Sequence, residues 1–395
     1  MRFVHAADLH LDSPLRSVAL RDPDLGAQLA LASRRVITRI VDLCIAHEAE
    51  ALVLAGDVFD DDQPDLAARA HLIAELARLA RAGIPTVVIR GNHDALMDLT
   101  RHGPLGEAVH LLDEETPTAT IRGVDFHGLS FTARHTSVSA LPRYPQPTRG
   151  QRNVGVMHTS LDGAAGHDPY GPCAASDLLA HGFDYWALGH IHRRSIVRDG
   201  GACLVMAGIP QGRHAREPGR GSVTLVTLGE CTTIEEVPVA ELAFESARID
   251  LTGCHDEASR IEAAHGVLSA MAADTHAVAL RVEIEGDSAA AWADDPRTHL
   301  APVAEGLPGV HLERVRLGDV AAHEANPLAD DLMRLMREES AKAGFRIRAE
   351  EALGQLSALL PPELRPAVRD MLGPEGLDDL LADGMTGLMA RLERA

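Results

Sequence analysis

The sequence predicts an α/β protein: a β-sandwich layered with helices, then a small α+β domain, then a helical C-terminal region. Three observations carry this. Residues 2–90 alternate β-α-β-α-β, which implies parallel strands with helices on both faces. A similar alternation restarts near residue 245, after a run of strands. Beyond NPLADD (326–331) the apolar residues recur at helical spacing.

The elements follow in order. Residues 2–7 read as a strand, and residues 27–49 have helical periodicity. ALVLAGD (51–57) is a short buried strand. QPDLAARAHLIAELARLARAG (63–83) is a helix with Pro near its start and Gly at its end. IPTVVIR (84–90) is the next strand. Further strands are expected at 119–131, 153–158, 184–188, 194–198, 203–207 and 222–238. This places a first domain at 1–240. ARIDLTG, a helix from 256, HAVALRVEIEG, a helix near 290–304 and HLERVRL make a second, α+β domain at 245–320. In the helical region at 325–395, Leu328, Leu332, Leu335 and Met336 share one face. Leu353, Leu356 and Leu360 form a second stripe, and Leu377, Leu381, Leu388 and Leu392 a third. By pattern alone such stripes pack as a small helical bundle.

Composition narrows the function. The chain has 395 residues, 46% hydrophobic but only 3% aromatic, so its cores are aliphatic. The net charge of −21 argues against nucleic-acid binding through overall charge, though not against a local basic groove. Residues 1–240 carry 22 basic and 29 acidic side chains, and the remainder 15 and 29, so the acidity gathers toward the C-terminus. Lys342 is the only lysine. The cysteines at 44, 173, 203, 231 and 254 are scattered, which reads as a reduced cytoplasmic protein. MRFVHAADLH enters a strand directly, without a signal sequence, and no apolar run reaches the roughly 18 residues of a membrane span.

Five polar clusters sit where strands are expected to end. They are Asp8-Leu9-His10, Gly56-Asp57-Val58-Phe59-Asp60, Gly91-Asn92-His93-Asp94, His158 and Gly189-His190-Ile191-His192. Strand C-terminal ends are where α/β folds collect ligand sites. Asp8 and His10 are two apart, as are His190 and His192, so an extended backbone would aim each pair to one side. Seven donors, namely Asp8, His10, Asp57, Asn92, His158, His190 and His192, are too many for one ion. They suit two ions about 3.5–4 Å apart that share a carboxylate and hold a bridging hydroxide. Mixed nitrogen and oxygen donors favour Mn, Fe or Zn over Mg or Ca.

Taken singly, each cluster has a plainer reading. Asn92-His93-Asp94 could be a turn with a helix N-cap, Asp8 and His10 a strand-end turn, GHIH a hairpin edge, and His158 a structural histidine. It is their joint occurrence, in order, that carries weight. Together the motifs DxH, GDxxD, GNHD, H and GHxH resemble the calcineurin-like metallophosphoesterase superfamily over residues 8–192. VHAADLHLDSPL and PQGRHAREPGRGSVTLV look like the DNA repair exonuclease branch, SbcD-type and more closely YhaO-like.

The resemblance implies a four-layer α/β/β/α metallophosphoesterase sandwich with a small cap and a helical tail. It implies that Asp8, His10, Asp57 and His192 hold a first metal. Asp57 would bridge, and Asn92, His158 and His190 would complete a second, with Mn2+ the family expectation. His93 would contact the scissile phosphate or protonate the leaving oxygen, and Asp94 would fix the His93 tautomer. Asp60 would orient a ligand. Arg193, Arg194 and Arg213, with Arg216 and Arg220 nearby, could pair with phosphate, or be ordinary exposed arginines. The expected function is a two-metal DNA exonuclease or endonuclease in DNA repair. Its expected partners are DNA and an SMC-like or AAA ATPase docked on the helical tail, with a homodimer possible and no membrane. The alternative is a metallophosphoesterase of nucleotides or other small phosphoesters. A non-enzymatic scaffold is the third reading, but degenerate sites lose ligands and none is missing here.

Overall fold

In the computed structural model, the described residues are 1–11, 13, 23–60, 66–97, 105–162, 170–272, 277–318, 327–359, 377, 381 and 385. Leu360, Leu388 and Leu392 of the expected stripes lie outside them, as do Asp61, Asp62, Asp65 and His167. The chain divides into two compact units, residues 1–14 with 28–243, and residues 15–27 with 244–395. Among the described residues no helix is long and apolar enough to cross a membrane.

The first unit contains two six-stranded sheets. One has the order β12-β11-β1-β2-β3-β4, and the other β5-β6-β7-β8-β10-β9. β1 (Arg2–Ala6), β2 (Ala51–Ala55), β3 (Thr86–Ile89) and β4 (Val109–Leu111) pair in parallel. They are joined by α1 (Pro23–Ala46) and α2 (Leu66–Arg81), as the alternating pattern requires. In the second sheet β6 (Val124–Gly128), β7 (Arg152–His158), β8 (Tyr185–Gly189) and β10 (Ala202–Met206) run parallel. β5 (Thr118–Ile121) and β9 (Ser195–Asp199) are its antiparallel edges.

The single strand expected at 119–131 is thus two. Arg122 and Gly123 both adopt positive φ, 48° and 80°, and turn the chain back on itself. The run 222–238 is likewise a hairpin of β11 (Ser222–Leu228) and β12 (Thr232–Pro238), broken at Gly229-Glu230-Cys231. β11 returns antiparallel to β1 and extends the first sheet. β4 and the short helix α3 (Ala175–His181) are not legible in the periodicity.

Three apolar layers hold this unit together. Phe3, Val53, Val87, Phe126, Val156 and Val205 pack between the sheets. Ile37, Ile40 and Val41 of α1 and Leu72, Leu76 and Leu79 of α2 pack on the outer face of the first sheet. Leu178 of α3, Phe183, Tyr144 and Trp186 cover the outer face of the second. Helix, sheet, sheet and helix are therefore stacked in four layers. Each fully buried Val, Leu or Phe contributes roughly 1.5–3 kcal/mol. Trp186 lies flat on β7 because position 155 is glycine, and its indole N–H donates to Leu178 O at 2.9 Å.

The second unit holds β13 (Leu242–Asp250), β14 (Ala277–Glu285) and β15 (Val310–Leu317), in the order β13-β14-β15. β13 begins in the first unit and continues into the second. α4 (Glu257–Met271) and α5 (Pro296–Glu305) share a core with this sheet through Leu268, Trp292 and Leu300. α4 starts at a capping box in which Asp256 and Ser259 satisfy each other's backbone N–H. α6 (Pro327–Ala341) and α7 (Ala343–Leu359) follow, with Leu332 and Leu335 exposed on α6.

Because a Cβ at position 155 would overlap the Trp186 ring, Gly155→Ala is expected to destabilise the first unit by about 1–3 kcal/mol. The midpoint of urea unfolding checks this, with an unchanged slope showing that the folded state is intact.

Candidate metal centre

The parallel strands β1, β2, β7 and β8 all deliver their C-terminal ends to one place. Asp8 N donates to Gly56 O at 3.1 Å, His10 N to Asp57 O at 3.0 Å and Leu11 N to Val58 O at 2.9 Å. These bonds lace the loop after β1 to the loop after β2. Gly56 has φ +90°, and a Cβ there would fall 2.5 Å from His158 Nδ1. Only glycine lets the loops close this far.

The side chains do not converge through extended backbone, as the two-residue spacing suggested. Asp8, His10, Asp57 and His190 have φ of 55°, 43°, 49° and 102°. Left-handed backbone at non-glycine residues costs about 1–3 kcal/mol each and persists only where the surroundings over-determine it. Here they do so twice: the backbone bonds above fix Asp8 and His10, and the Asp8 carboxylate accepts the His190 N–H at 3.0 and 3.1 Å.

The expected ligands fall into two groups, and His10, Asp60 and His93 form a third set beside them. Ligand atoms of Asp8, His10 and His192 lie within 4.8 Å of one another, as do those of Asp57, His158 and His190. Asn92 Oδ1 sits 3.1 Å from both His158 Nε2 and His190 Nδ1 and joins the second group. All of these except His192 are buried.

The hydrogen bonds behind the rings show what the pocket is built to hold. His10 donates from Nδ1 to Asp60 Oδ1 at 2.8 Å, and His192 from Nδ1 to Glu217 Oε1 at 2.6 Å. In the neutral rings both Nε2 atoms then carry lone pairs, and they face each other at 3.1 Å. Two acceptors at that distance repel unless a cation lies against both. Burial, with the Arg213 charge, pushes His10 down to about 3, so its lone pair is available to a metal at neutral pH. The second group repeats the arrangement. His158 Nδ1 donates to Ala55 O at 2.9 Å, which leaves Nε2 against Asn92 Oδ1 and, at 3.2 Å, Asp57 Oδ2. Burial disfavours a charge on this ring, yet Asp57 beside it pushes His158 up to about 9. A proton there occupies the position that a divalent cation would take. The donor set therefore fits two divalent cations with mixed nitrogen and oxygen ligands.

His93 packs its ring edge-on against that of His10, with centroids 4.8 Å apart. Its side chain is 41% exposed, its backbone N–H donates to Asp57 Oδ1 at 2.9 Å, and its ring Nδ1 donates to the Asp60 carbonyl at 2.9 Å. Nε2 is the ring nitrogen not engaged in that bond. The tautomer partner is thus a backbone carbonyl and not Asp94, which corrects the expected catalytic role of that residue. Asp94 is fully buried and instead accepts Gly91 N at 2.7 Å and Val58 N at 2.9 Å. It clamps the GDxxD and GNHD loops together. Burial and the Asp57 charge push its carboxyl up to about 7, against the pull of the Gly91 and Val58 N–H groups.

The arginines also differ from expectation. Arg194 is bound to Thr224 and lies 3.4 Å from Glu236, so it supports β11 and β12 and is not offered to phosphate. Arg213 donates to Asp60 Oδ1 at 2.8 Å and lies 3.5 Å from Glu217 Oε1, so its guanidinium is engaged behind the rings. Arg193 alone of the three is exposed beside His192. Sequence reasoning missed Glu217 and the Ala55 and Asp60 carbonyls. The one available signal for Glu217 was an acid four residues after Arg213, in a loop singled out for its basic residues. Gln211, also missed, anchors that loop: its amide oxygen accepts Glu241 N at 2.9 Å and its amide nitrogen donates to Leu242 O at 2.8 Å.

With this geometry in place, comparison with known proteins is informative. Residues 1–194 match the family of calcineurin-like phosphoesterases. The metallophosphoesterase YhaO of Bacillus subtilis is 29% identical over 339 residues, covering 82% of this chain and 83% of YhaO. The DNA double-strand break repair protein Mre11 of Sulfurisphaera tokodaii is 24% identical over 253 residues, covering 60% of this chain and 62% of that protein. This chain therefore spans less than two thirds of the Mre11 relative. A dimetal phosphatase from Danio rerio superposes with a TM-score of 0.38 at 14% identity, over 61% of this chain and 98% of that one.

Two outcomes are expected. Asp94→Ala leaves the Gly91 and Val58 N–H groups buried without acceptors, at about 1–3 kcal/mol each, and should lower the melting temperature far more than His93→Ala. Because a cation must displace the His158 proton, apparent Mn2+ affinity should rise by about tenfold per pH unit between pH 6 and 8. Calorimetric titration in buffers of different ionisation enthalpy would register the released proton.

Proposed function

We propose that this chain, whose residues 1–194 form a calcineurin-like phosphoesterase domain, is a two-metal phosphodiesterase that cleaves DNA as a repair nuclease. The observation that carries the reading is His93: an accessible imidazole, held by the Asp60 carbonyl, at the mouth of an otherwise buried donor cluster. The similarity to Mre11 over 253 residues supports DNA as the substrate.

Asp8, His10, Asp57 and His192 would hold one cation, and Asp57, Asn92, His158 and His190 the other. Two divalent cations, when bound, supply Lewis-acid neutralisation of a phosphoryl oxygen and a water of lowered pKa. The remaining work falls to the chain. The buried walls keep bulk water from the donors, so charge developing on the phosphate is stabilised in a low dielectric. In its cationic form His93 keeps Nδ1–H on the Asp60 carbonyl and presents Nε2–H to the phosphate or the departing alkoxide. The proton passes from Nε2 to the leaving oxygen. Exposed Arg193, with Arg216 and Arg220 also exposed, could pair with a flanking phosphate. We assign the helical region after residue 327 to an ATPase partner, with the exposed Leu332 and Leu335 as the docking surface.

One observation favours a second reading. Arg194 and Arg213 are spent on internal carboxylates, and the chain is acidic overall, which suits a nucleotide or another small phosphoester better than a long polyanion.

The test compares wild type with His93→Ala on labelled single- and double-stranded DNA in Mn2+, with bis-p-nitrophenyl phosphate alongside. The variant should retain its metal and lose DNA degradation by about 10²–10⁴-fold. Diester cleavage by the wild type without DNA degradation would transfer the assignment to the second reading. Undiminished degradation by the variant would remove His93 from the mechanism.

A further inference from the structure

Arg213 makes no hydrogen bond to any of the seven proposed ligands, yet it reaches the carboxylates behind two of them. Its Nη1 donates to Asp60 Oδ1 at 2.8 Å, and Nη2 approaches Glu217 Oε1 at 3.5 Å. Those same oxygens accept the Nδ1–H of His10 and of His192. The Arg213 backbone N–H donates to the other Glu217 oxygen at 2.6 Å, and Ser13 donates to the other Asp60 oxygen at 3.1 Å. All four carboxylate oxygens thus have donors. Arg213 and Asp60 are 18% and 16% exposed and Glu217 only 6%, so this is a largely buried network.

Its components come from distant parts of the chain. Asp60 and Arg213 are separated by 153 positions, and His10 and His192 by 182. Two imidazoles whose Nε2 atoms face each other at 3.1 Å would swing apart if each were held independently. One guanidinium joined to both backing carboxylates removes that freedom: neither Asp60 nor Glu217 can rotate without breaking a bond to Arg213. Burial would otherwise raise both carboxyls. The His10 and Arg213 contacts keep Asp60 low, and the His192 and Arg213 contacts do the same for Glu217. Both therefore stay ionised as acceptors.

We infer that Arg213, acting through Asp60 and Glu217, is the positioning residue that sets the His10–His192 pair as one bidentate metal-binding unit. It does not contact substrate. The inference rests on the assignment of His10 and His192 as metal ligands, and it makes a prediction opposite to simple electrostatics. Removing a cation near a metal site should tighten metal binding by charge alone. Removing a positioning residue should weaken it, at one site and not the other.

The experiment is calorimetric titration of the full chain with Mn2+ and no nucleic acid, with melting temperatures taken in parallel. Arg213→Ala should weaken one of two sites by about ten- to a hundredfold and leave the other within about twofold. Arg213→Lys should recover part of the loss, because a charge returns without the fork that spans both carboxylates. Glu217→Gln, nearly isosteric, should weaken the same site, and it carries the test if Arg213→Ala does not fold. Unchanged binding in both variants, or tighter binding in Arg213→Ala, overturns the inference. His10→Ala serves as control. If it leaves two Mn2+ sites intact, the ligand assignment fails and the inference with it. If it removes one site, failure of the Arg213 variants counts against the positioning role alone.

Discussion

Two imidazole nitrogens face each other across 3.1 Å, and each has committed its other nitrogen to a carboxylate. That arrangement is unfavourable in the absence of a positive charge, and much of the surrounding structure exists to impose it. The second half of the site meets the same need differently: His158 Nε2 is turned toward a carboxylate and an amide oxygen, and a proton holds the cation's place. A pocket of acceptors that repel one another is a pocket whose stability is linked to what it binds.

The fold supplies the force that holds these acceptors together. Two sheets packed through an apolar layer bring parallel strand ends to one rim. The rim loops then depart from regular geometry at the donors themselves. Asp8, His10, Asp57 and His190 all take left-handed backbone, and the loops after β1 and β2 are bonded to each other. Strain at those four residues is carried by the sandwich below, which offers far more apolar burial than the loops cost. Asp94 shows the same division of labour: a carboxylate within a metal-binding motif that binds backbone and holds the loops in place.

Much of this was legible in the sequence, and the reasons for the remainder are specific. Alternating elements from Arg2 to Arg90 announced parallel strands, and the polar residues after each apolar run marked where those strands end. The order of DxH, GDxxD, GNHD, H and GHxH implied a single site through its resemblance to the calcineurin-like metallophosphoesterases. What failed were inferences that needed direction. Spacing of two was taken as extended backbone, but positive φ at Asp8 and His10 aims their side chains by a different route. Arg194 and Arg213 were read as free because sequence shows charge and not the partner that neutralises it. Glu217 lies 25 positions beyond the ring it supports, and nothing in a one-dimensional pattern couples the two. The hairpins at Arg122-Gly123 and Gly229 were hidden inside longer β-prone runs.

The clamp at Gln211 bears on how this domain can be exchanged or shortened. The family match stops at residue 194, but the rings of His10 and His192 are backed from residues 213 and 217, on a loop tied by Gln211 to residues 241 and 242. β11, which flanks β1, also lies beyond 194. The natural seam for recombination therefore falls near residue 243, where the first compact unit ends, and not at 194. A transplant that respected the motif boundaries alone would carry every proposed ligand and leave behind the scaffold that aims two of them.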